Sequence, residues 1–210
     1  MLLLPRTVDR MVLAPYTTAN DGVFMSELSE PVMPPHPGKV RPGGCICLVG
    51  MAASGKTTIG RYLGSFLGWT HIDTDHVIEA MYGAKLQQIT DALGKEAFLD
   101  VEARVVQALT VANVVLSTGG SVIYRQPTMD FLASLGPILH IDVPLPIIQA
   151  RIARKPDRGL AINPGQTIED LYNERQELYK KASIIRFEGS EEVPAIDLAR
   201  RIACWLHEPE

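Results

Sequence analysis

An α/β domain built on a buried parallel sheet is the fold class this sequence predicts, and three observations predict it. From Cys45 onward, short β-rich runs alternate with stretches whose apolar residues recur at helical spacing. The first run is apolar throughout, as a strand covered on both faces is. A glycine-rich turn separates the first run from the first amphipathic stretch.

Taken in order, the expected strands are Cys45–Val49, Thr70–Asp73, Val114–Ser117, Ile138–Val143 and Ile184–Phe187. The expected helices between and after them are Thr57–Leu67, His76–Tyr82, Lys95–Ala112, Thr128–Leu135, Leu145–Arg154, Ile168–Ala182 and Ala195–Leu206. In the last helix Ile196, Leu198, Ala199, Ile202, Ala203, Trp205 and Leu206 form a face for the core.

The chain has 210 residues, 46% of them apolar and 21% charged. That is one domain with room for an appendage, and neither a disordered nor a collagen-like chain. No apolar run approaches the ~18 residues of a transmembrane helix. A net charge of −4 argues against a nucleic-acid partner. Three cysteines are too few for a disulfide scaffold, and Cys45 and Cys47 read as core residues rather than metal ligands.

Residues 1–44 differ from the rest. They hold Pro5, Pro15, Pro31, Pro34, Pro35, Pro37 and Pro42, and their bases (Arg6, Arg10, Lys39, Arg41) balance their acids (Asp9, Asp21, Glu27, Glu30). Proline at this density breaks helices and removes ladder donors. A disordered or loosely docked extension over 1–44 and a folded domain over 45–210 are expected.

The turn after the first strand reads Gly50-Met-Ala52-Ala53-Ser54-Gly55-Lys56-Thr57 and fits GxxxxGK[ST]. Gly50 and Gly55 permit the turns that aim successive N–H groups inward at phosphate oxygens. Lys56 carries charge to the β- and γ-phosphates, and the Thr57 hydroxyl can ligate Mg²⁺. The following helix adds its positive end. No Asn-Lys-x-Asp guanine-reading motif is present, and the chain is small for a motor, so a small kinase is favoured.

Asp73-Thr-Asp75 follows the second strand, expected beside the first, at the carboxyl edge where open α/β sheets bind ligands. One acid suits the Mg²⁺ shell and the other a substrate hydroxyl or ammonium. His71 and His140 fall in strands and read as packed residues, while His76 stands next to Asp75.

Gly50–Thr58, Ile59-Gly60-Arg61, Asp73-Thr-Asp75, Ile78-Glu79, Gly83, Gly94, Phe98, Ser117-Thr-Gly119-Gly120, Asp157-Arg158-Gly-Leu160 and Glu174-Arg175-x-x-Leu-Tyr179 occur in one order. Over about residues 45–187 the chain thereby resembles the shikimate kinase family. The resemblance implies a three-layer α/β/α P-loop kinase fold with a five-stranded parallel sheet and a mobile lid. It implies transfer of the γ-phosphoryl of ATP, with Mg²⁺, to a hydroxyl of a small carboxylic acid. Position by position, it implies that Gly50, Ala52–Thr58 and Arg151 hold the nucleotide, with Lys56 on the transferring phosphoryl. Thr57 and, through water, Asp73 would hold the metal. Asp75 would orient the attacking hydroxyl, Gly119 and Gly120 would offer N–H groups to the substrate, Arg158 would come from the lid, and Arg175 would pair with the substrate carboxylate.

Three positions depart from the family pattern. Leu99 stands where an arginine should grip the carboxylate, a task leucine cannot perform. Ser121 replaces the third glycine of Gly-Gly-Gly, which adds a side chain or demands a different backbone. Gly159 replaces the proline of the lid's Arg-Pro-Leu, a change that favours a looser lid. The lid stretch also carries Arg154 and Lys155, which suit either closure over a triphosphate or the negative end of a helix.

Losing one arginine favours a smaller acid, with a primary hydroxyl and an ammonium for Asp75 or Asp100. The acceptor expected is therefore a hydroxy amino acid such as homoserine, with shikimate itself as the alternative, and substrate contacts at Asp75, Leu99, Gly119, Gly120 and Arg175. A nucleotide-binding regulatory module that has lost catalysis is a third reading, against which the retained Lys56, Thr57, Asp73, Asp75, Arg158 and Arg175 argue. A monomer in the cytoplasm, with no nucleic-acid or membrane partner, completes the expectation.

Overall fold

A computed structural model describes residues 35–154, 159–163, 165–182 and 185–209. The expected extension over 1–44 falls largely outside them. Its last part is docked: the His36 N–H donates to the Leu206 carbonyl at 2.8 Å, Arg41 donates to the Ser134 carbonyl at 2.9 Å, and Val40 is buried in the core. The folded unit therefore begins before the expected boundary at 45.

Five strands form one parallel sheet: β1 (Ile46–Val49), β2 (Thr70–Asp73), β3 (Val114–Ser117), β4 (Ile138–Asp142) and β5 (Ile185–Glu188), in the order β2-β3-β1-β4-β5. Every residue of β1, β3 and β4 is buried, the polar Ser117, His140 and Asp142 included. One expectation is corrected here. β2 is not a neighbour of β1, because β3 lies between them. The crossover helix α1 (Lys56–Leu67) spans both strands, and its buried face of Ile59, Leu63 and Leu67 packs on the main core.

The remaining helices are α2 (Thr74–Tyr82), α3 (Leu86–Leu93), α4 (Lys95–Gln107), α5 (Gln126–Leu135), α6 (Leu145–Ala153), α7 (Ile168–Ala182) and α8 (Ala195–His207). The sequence reading missed α3, a helix of only eight residues. Side chains hold its start: Gln88 Oε1 accepts from the Lys85 N–H at 3.1 Å and Glu79 Oε1 from the Leu86 N–H at 3.0 Å. The expected end of α4 at Ala112 is also too late. Past Gln107 come the β-branched Thr110 and Val111 and then Asn113 at φ 54, which turn the chain into β3.

A second apolar cluster sits beyond the sheet's carboxyl edge, formed by Ile78, Ile89, Phe98, Leu99, Val101, Val105 and Ala161. It ties α2, α3 and α4 together as one wall of the crevice described next.

Candidate active site

The carboxyl ends of β1, β2 and β3 open on a cavity of about 770 Å³. Its floor is the turn after β1. Gly50 has φ 146, and a Cβ there would meet the Ile141 carbonyl oxygen at 2.5 Å, so only glycine lets the turn lie this close to β4. Gly55 (φ 96) and Ala53 (φ 66) add two more left-handed turns, and α1 starts with no side chain capping its amides. An amide-lined concavity at an uncapped helix start suits phosphate oxygens.

Lys56 is nearly buried and donates to the carbonyls of Gly50 and Met51, each at 2.8 Å, and to Ser54 Oγ at 3.4 Å. The ammonium thus sits at the mouth of its own turn. Ala52, Ala53, Gly55, Lys56, Thr57 and Thr58 line the cavity, whereas Gly50 and Ser54 are not among its lining residues.

Thr57 Oγ1 donates to Asp73 Oδ2 at 2.6 Å. Asp73 also caps α2, its Oδ1 accepting the Asp75 N–H at 3.0 Å. That cap explains why α2 begins at Thr74 rather than His76. One hydroxyl and one carboxylate in contact beside a phosphate cradle fit Mg²⁺, which keeps several waters and takes few protein ligands. Among the described residues no cluster of three or more His, Cys, Asp or Glu offers an all-protein metal cage.

Asp75, Gly119, Gly120 and Arg175 line the same cavity. Leu171, Arg175 and Tyr179 recur every four residues on the buried face of α7, which aims Arg175 inward. Thr167 and Asp170 start that helix with reciprocal bonds of 3.0 and 3.1 Å. Arg175 donates to the Ala161 carbonyl at 3.0 Å and Tyr124 Oη at 3.3 Å, with its guanidinium over the Tyr124 ring.

Several expected placements are corrected. Leu99 is not among the cavity's lining residues, because its side chain packs into the second apolar cluster. The Gly119 N–H donates to Thr74 Oγ1 at 3.2 Å and so is turned to the protein rather than to a ligand. Arg151 does not line the cavity either; it donates to the Ala53 carbonyl at 3.2 Å and braces the phosphate turn. Arg154, one helical turn on, lines the cavity in its place. Ser121 needs no unusual backbone (φ −98), and its hydroxyl donates to Glu102 Oε2 at 2.8 Å. Gly159 is tightly placed rather than loose: a Cβ would lie 2.7 Å from the Leu86 carbonyl carbon, which leaves no room for proline there. Arg158 lies outside the described residues.

The residue the sequence reading overlooked is Glu102. It is 1% exposed and reaches the cavity wall behind Gly119. Burial first, then the Asp75 charge, raises its pKa from 4.5 to about 8. Asp75 is likewise raised to about 6, by burial and then by Asp73. A carboxyl raised on folding binds its proton more tightly in the folded chain. The stability it contributes is complete below its ordinary value and is lost as pH rises through the folded one. The nucleotide-free chain is therefore expected to lose thermal stability between pH 4.5 and about 8, and Glu102→Gln to flatten that slope. Melting curves across this range check it; a midpoint that rises with pH in both proteins would contradict it.

Comparison with known proteins places this geometry. A family model described as shikimate kinase matches residues 52–205. The chain belongs to the shikimate kinase family. A shikimate kinase of Paracidovorax citrulli is 36% identical over 168 residues, covering 77% of this chain and 91% of that protein. One from Synechococcus elongatus is 32% identical over 157 residues, covering 73% and 82%. A solved structure described as shikimate kinase from Acinetobacter baumannii in complex with shikimate is 34% identical, with a TM-score of 0.69 over 76% of this chain and 90% of that one. Within the family, the cavity is that of an ATP-dependent small-molecule kinase working with Mg²⁺. That sets aside the reading as a regulatory module without catalysis. The relatives compared are named shikimate kinase and not homoserine kinase, so they favour the alternative acceptor over the one first expected.

Proposed function

We propose that the chain transfers the γ-phosphoryl group of MgATP to a hydroxyl of shikimate. One observation carries the reading: a single cavity is lined both by Lys56, Thr57 and Asp73 and by Asp75 with Arg175. The first group suits a triphosphate and its metal, and the second a hydroxyl and a carboxylate. Relatives named shikimate kinase over most of the chain support the choice of acid.

Phosphoryl transfer asks a protein mainly for positioning and charge. Lys56 would neutralise charge on the moving group, with Arg158 proposed for the same task from the lid. The metal, held by Thr57 and through water by Asp73, would supply further charge neutralisation at the phosphates. Asp75 would orient the hydroxyl and accept its proton late. Arg175 would pair with the substrate carboxylate. Gly120 would leave room for that guanidinium, since a Cβ there would lie 2.9 Å from Arg175 Nη1.

A second reading takes a hydroxy amino acid such as homoserine as the acceptor. Leu99 favours it, because the arginine expected to share shikimate's carboxylate with Arg175 is replaced by an apolar core residue. A coupled assay of ADP release with MgATP and each acid tests both. Shikimate-dependent release well above the acceptor-free rate is expected; release with homoserine alone would reverse the order. Arg175→Lys is expected to raise the acceptor KM by roughly 10- to 100-fold, the worth of a charge-assisted bond. An unchanged acceptor KM would remove Arg175 from the acceptor site.

The reading also includes a monomer acting in the cytoplasm, supported by the free thiols of Cys45, Cys47 and Cys204. Among the described residues no helix is long and apolar enough to cross a membrane. Light scattering at assay concentrations checks the monomer.

A further inference from the structure

Among the described residues, the lysines and arginines that line the cavity are Lys56, Arg61, Lys85, Arg154 and Arg175. Three of them stand by the phosphate turn. Lys56 holds the carbonyls of that turn. Arg61 follows by one helical turn Thr57, whose hydroxyl meets Asp73. Arg154 follows by one turn Arg151, which braces the Ala53 carbonyl. Arg175 and Lys85 are left for an acid acceptor.

Arg175 meets such an acid with only part of its donors. It is 1% exposed and already holds the Ala161 carbonyl and the Tyr124 hydroxyl. A carboxylate offers two oxygens with lone pairs on both, so a second donor is needed to satisfy it away from water.

Lys85 is differently placed. Its side chain is 78% exposed, and its ammonium stands 4.0 Å from Glu79 Oε2, an ion pair beyond hydrogen-bond reach. Two connections fix where that ammonium lies. Glu79 follows Asp75 by one turn of α2, so the two acids share a face with their Cβ atoms about 6 Å apart. Leu86, next to Lys85, meets Gly159, where a Cβ would stand 2.7 Å from the Leu86 carbonyl carbon. Two residues on from Gly159, the Ala161 carbonyl takes the bond from Arg175. Two residues of chain reach at most about 7 Å. Lys85, Asp75 and Arg175 thus border one space of the size of a small acid.

We propose that Lys85 is an acceptor-specificity residue, its ammonium pairing with the acceptor's carboxylate together with Arg175. This rests on the kinase reading above and deepens it: the charge absent at Leu99 comes instead from the start of α3. A compact charge on a four-carbon stem can leave Glu79 and turn to an acid, with no fixed fork to aim.

The test measures ADP release by the unaltered chain, Lys85→Met and Lys85→Arg with shikimate and with homoserine. The neutral carboxamide of each acid is measured as acceptor or competitive inhibitor. Lys85→Met keeps the length and loses the charge. It is expected to raise the KM of the acid used by about 3- to 10-fold, a modest effect because the ammonium is exposed. The carboxamide's affinity and the MgATP KM are expected to stay within about twofold, since neither pairs with this charge. Lys85→Arg is expected to restore most of the acid's KM. Added salt should weaken acid binding more in the unaltered chain than in Lys85→Met. An acid KM unmoved in Lys85→Met overturns the proposal and leaves the kinase reading standing. So does a loss shared equally by the carboxamide, which would make Lys85 a brace for Glu79 and α3. No release with any acid overturns the kinase reading and this proposal with it.

Discussion

Replacing Lys56 with Met is expected to lower kcat by about 10²–10³, the usual consequence of removing one charge-stabilising donor from a site that works by charge placement. Lys56 is nearly buried among the carbonyls of Gly50 and Met51, so its charge is poorly screened and its position closely set. Methionine matches its length without the charge. Some loss of nucleotide affinity should accompany the fall in kcat, because the same ammonium shapes the turn. Single-turnover kinetics at saturating nucleotide separates the two effects. A variant within a few fold of the unaltered kcat would mean that Lys56 is a brace for the turn and nothing more.

Gly136→Ala is expected to give a large loss of stability. Gly136 closes α5 with extended backbone, and a Cβ there would overlap the carbonyl oxygen of Cys45. The neighbouring backbone cannot yield cheaply. Cys45 N–H donates to the Leu135 carbonyl at 2.9 Å and Cys47 N–H to that of Pro137 at 3.0 Å, so the end of α5 is tied to the start of β1. Forcing an atom into such a contact costs roughly 1–3 kcal/mol, at times more. For a chain of this size each kcal/mol lowers the melting midpoint by roughly 2–4 °C. β1 also carries the phosphate turn, so nucleotide affinity should fall with stability. An unshifted midpoint by calorimetry would refute the packing argument.

Much of the architecture was legible in order along the chain. The four apolar residues of β1 and the helical repeat of α1 bracket the phosphate turn, and each signal is local. The acids at 73 and 75 were legible because they follow a strand directly. The turn chemistry of Gly50, Gly55 and Lys56 was legible because it lies within eight consecutive residues. The α3 helix was not, since its start is held by Glu79, a side chain from the preceding helix. The insertion of β3 between β1 and β2 was hidden too. Nothing in either strand states which neighbour it will take, and a crossover helix reaches an adjacent strand or the next one equally well.

Glu102 shows the same limit at the site. In the sequence it is one acid in a mixed helix. Its meaning comes from burial behind Gly119 and from its nearness to Asp75. Leu99 shows the converse, since a change read as part of the substrate contact turns out to be core packing. The amino-acid order by itself determined the strand-helix alternation, the phosphate turn and the family, because these depend on residues close together along the chain. Tertiary structure alone decided which carboxylates and which arginines line one cavity, and which glutamate is buried behind its wall. Those properties depend on distances and burial between segments far apart in the chain, and no local pattern encodes them.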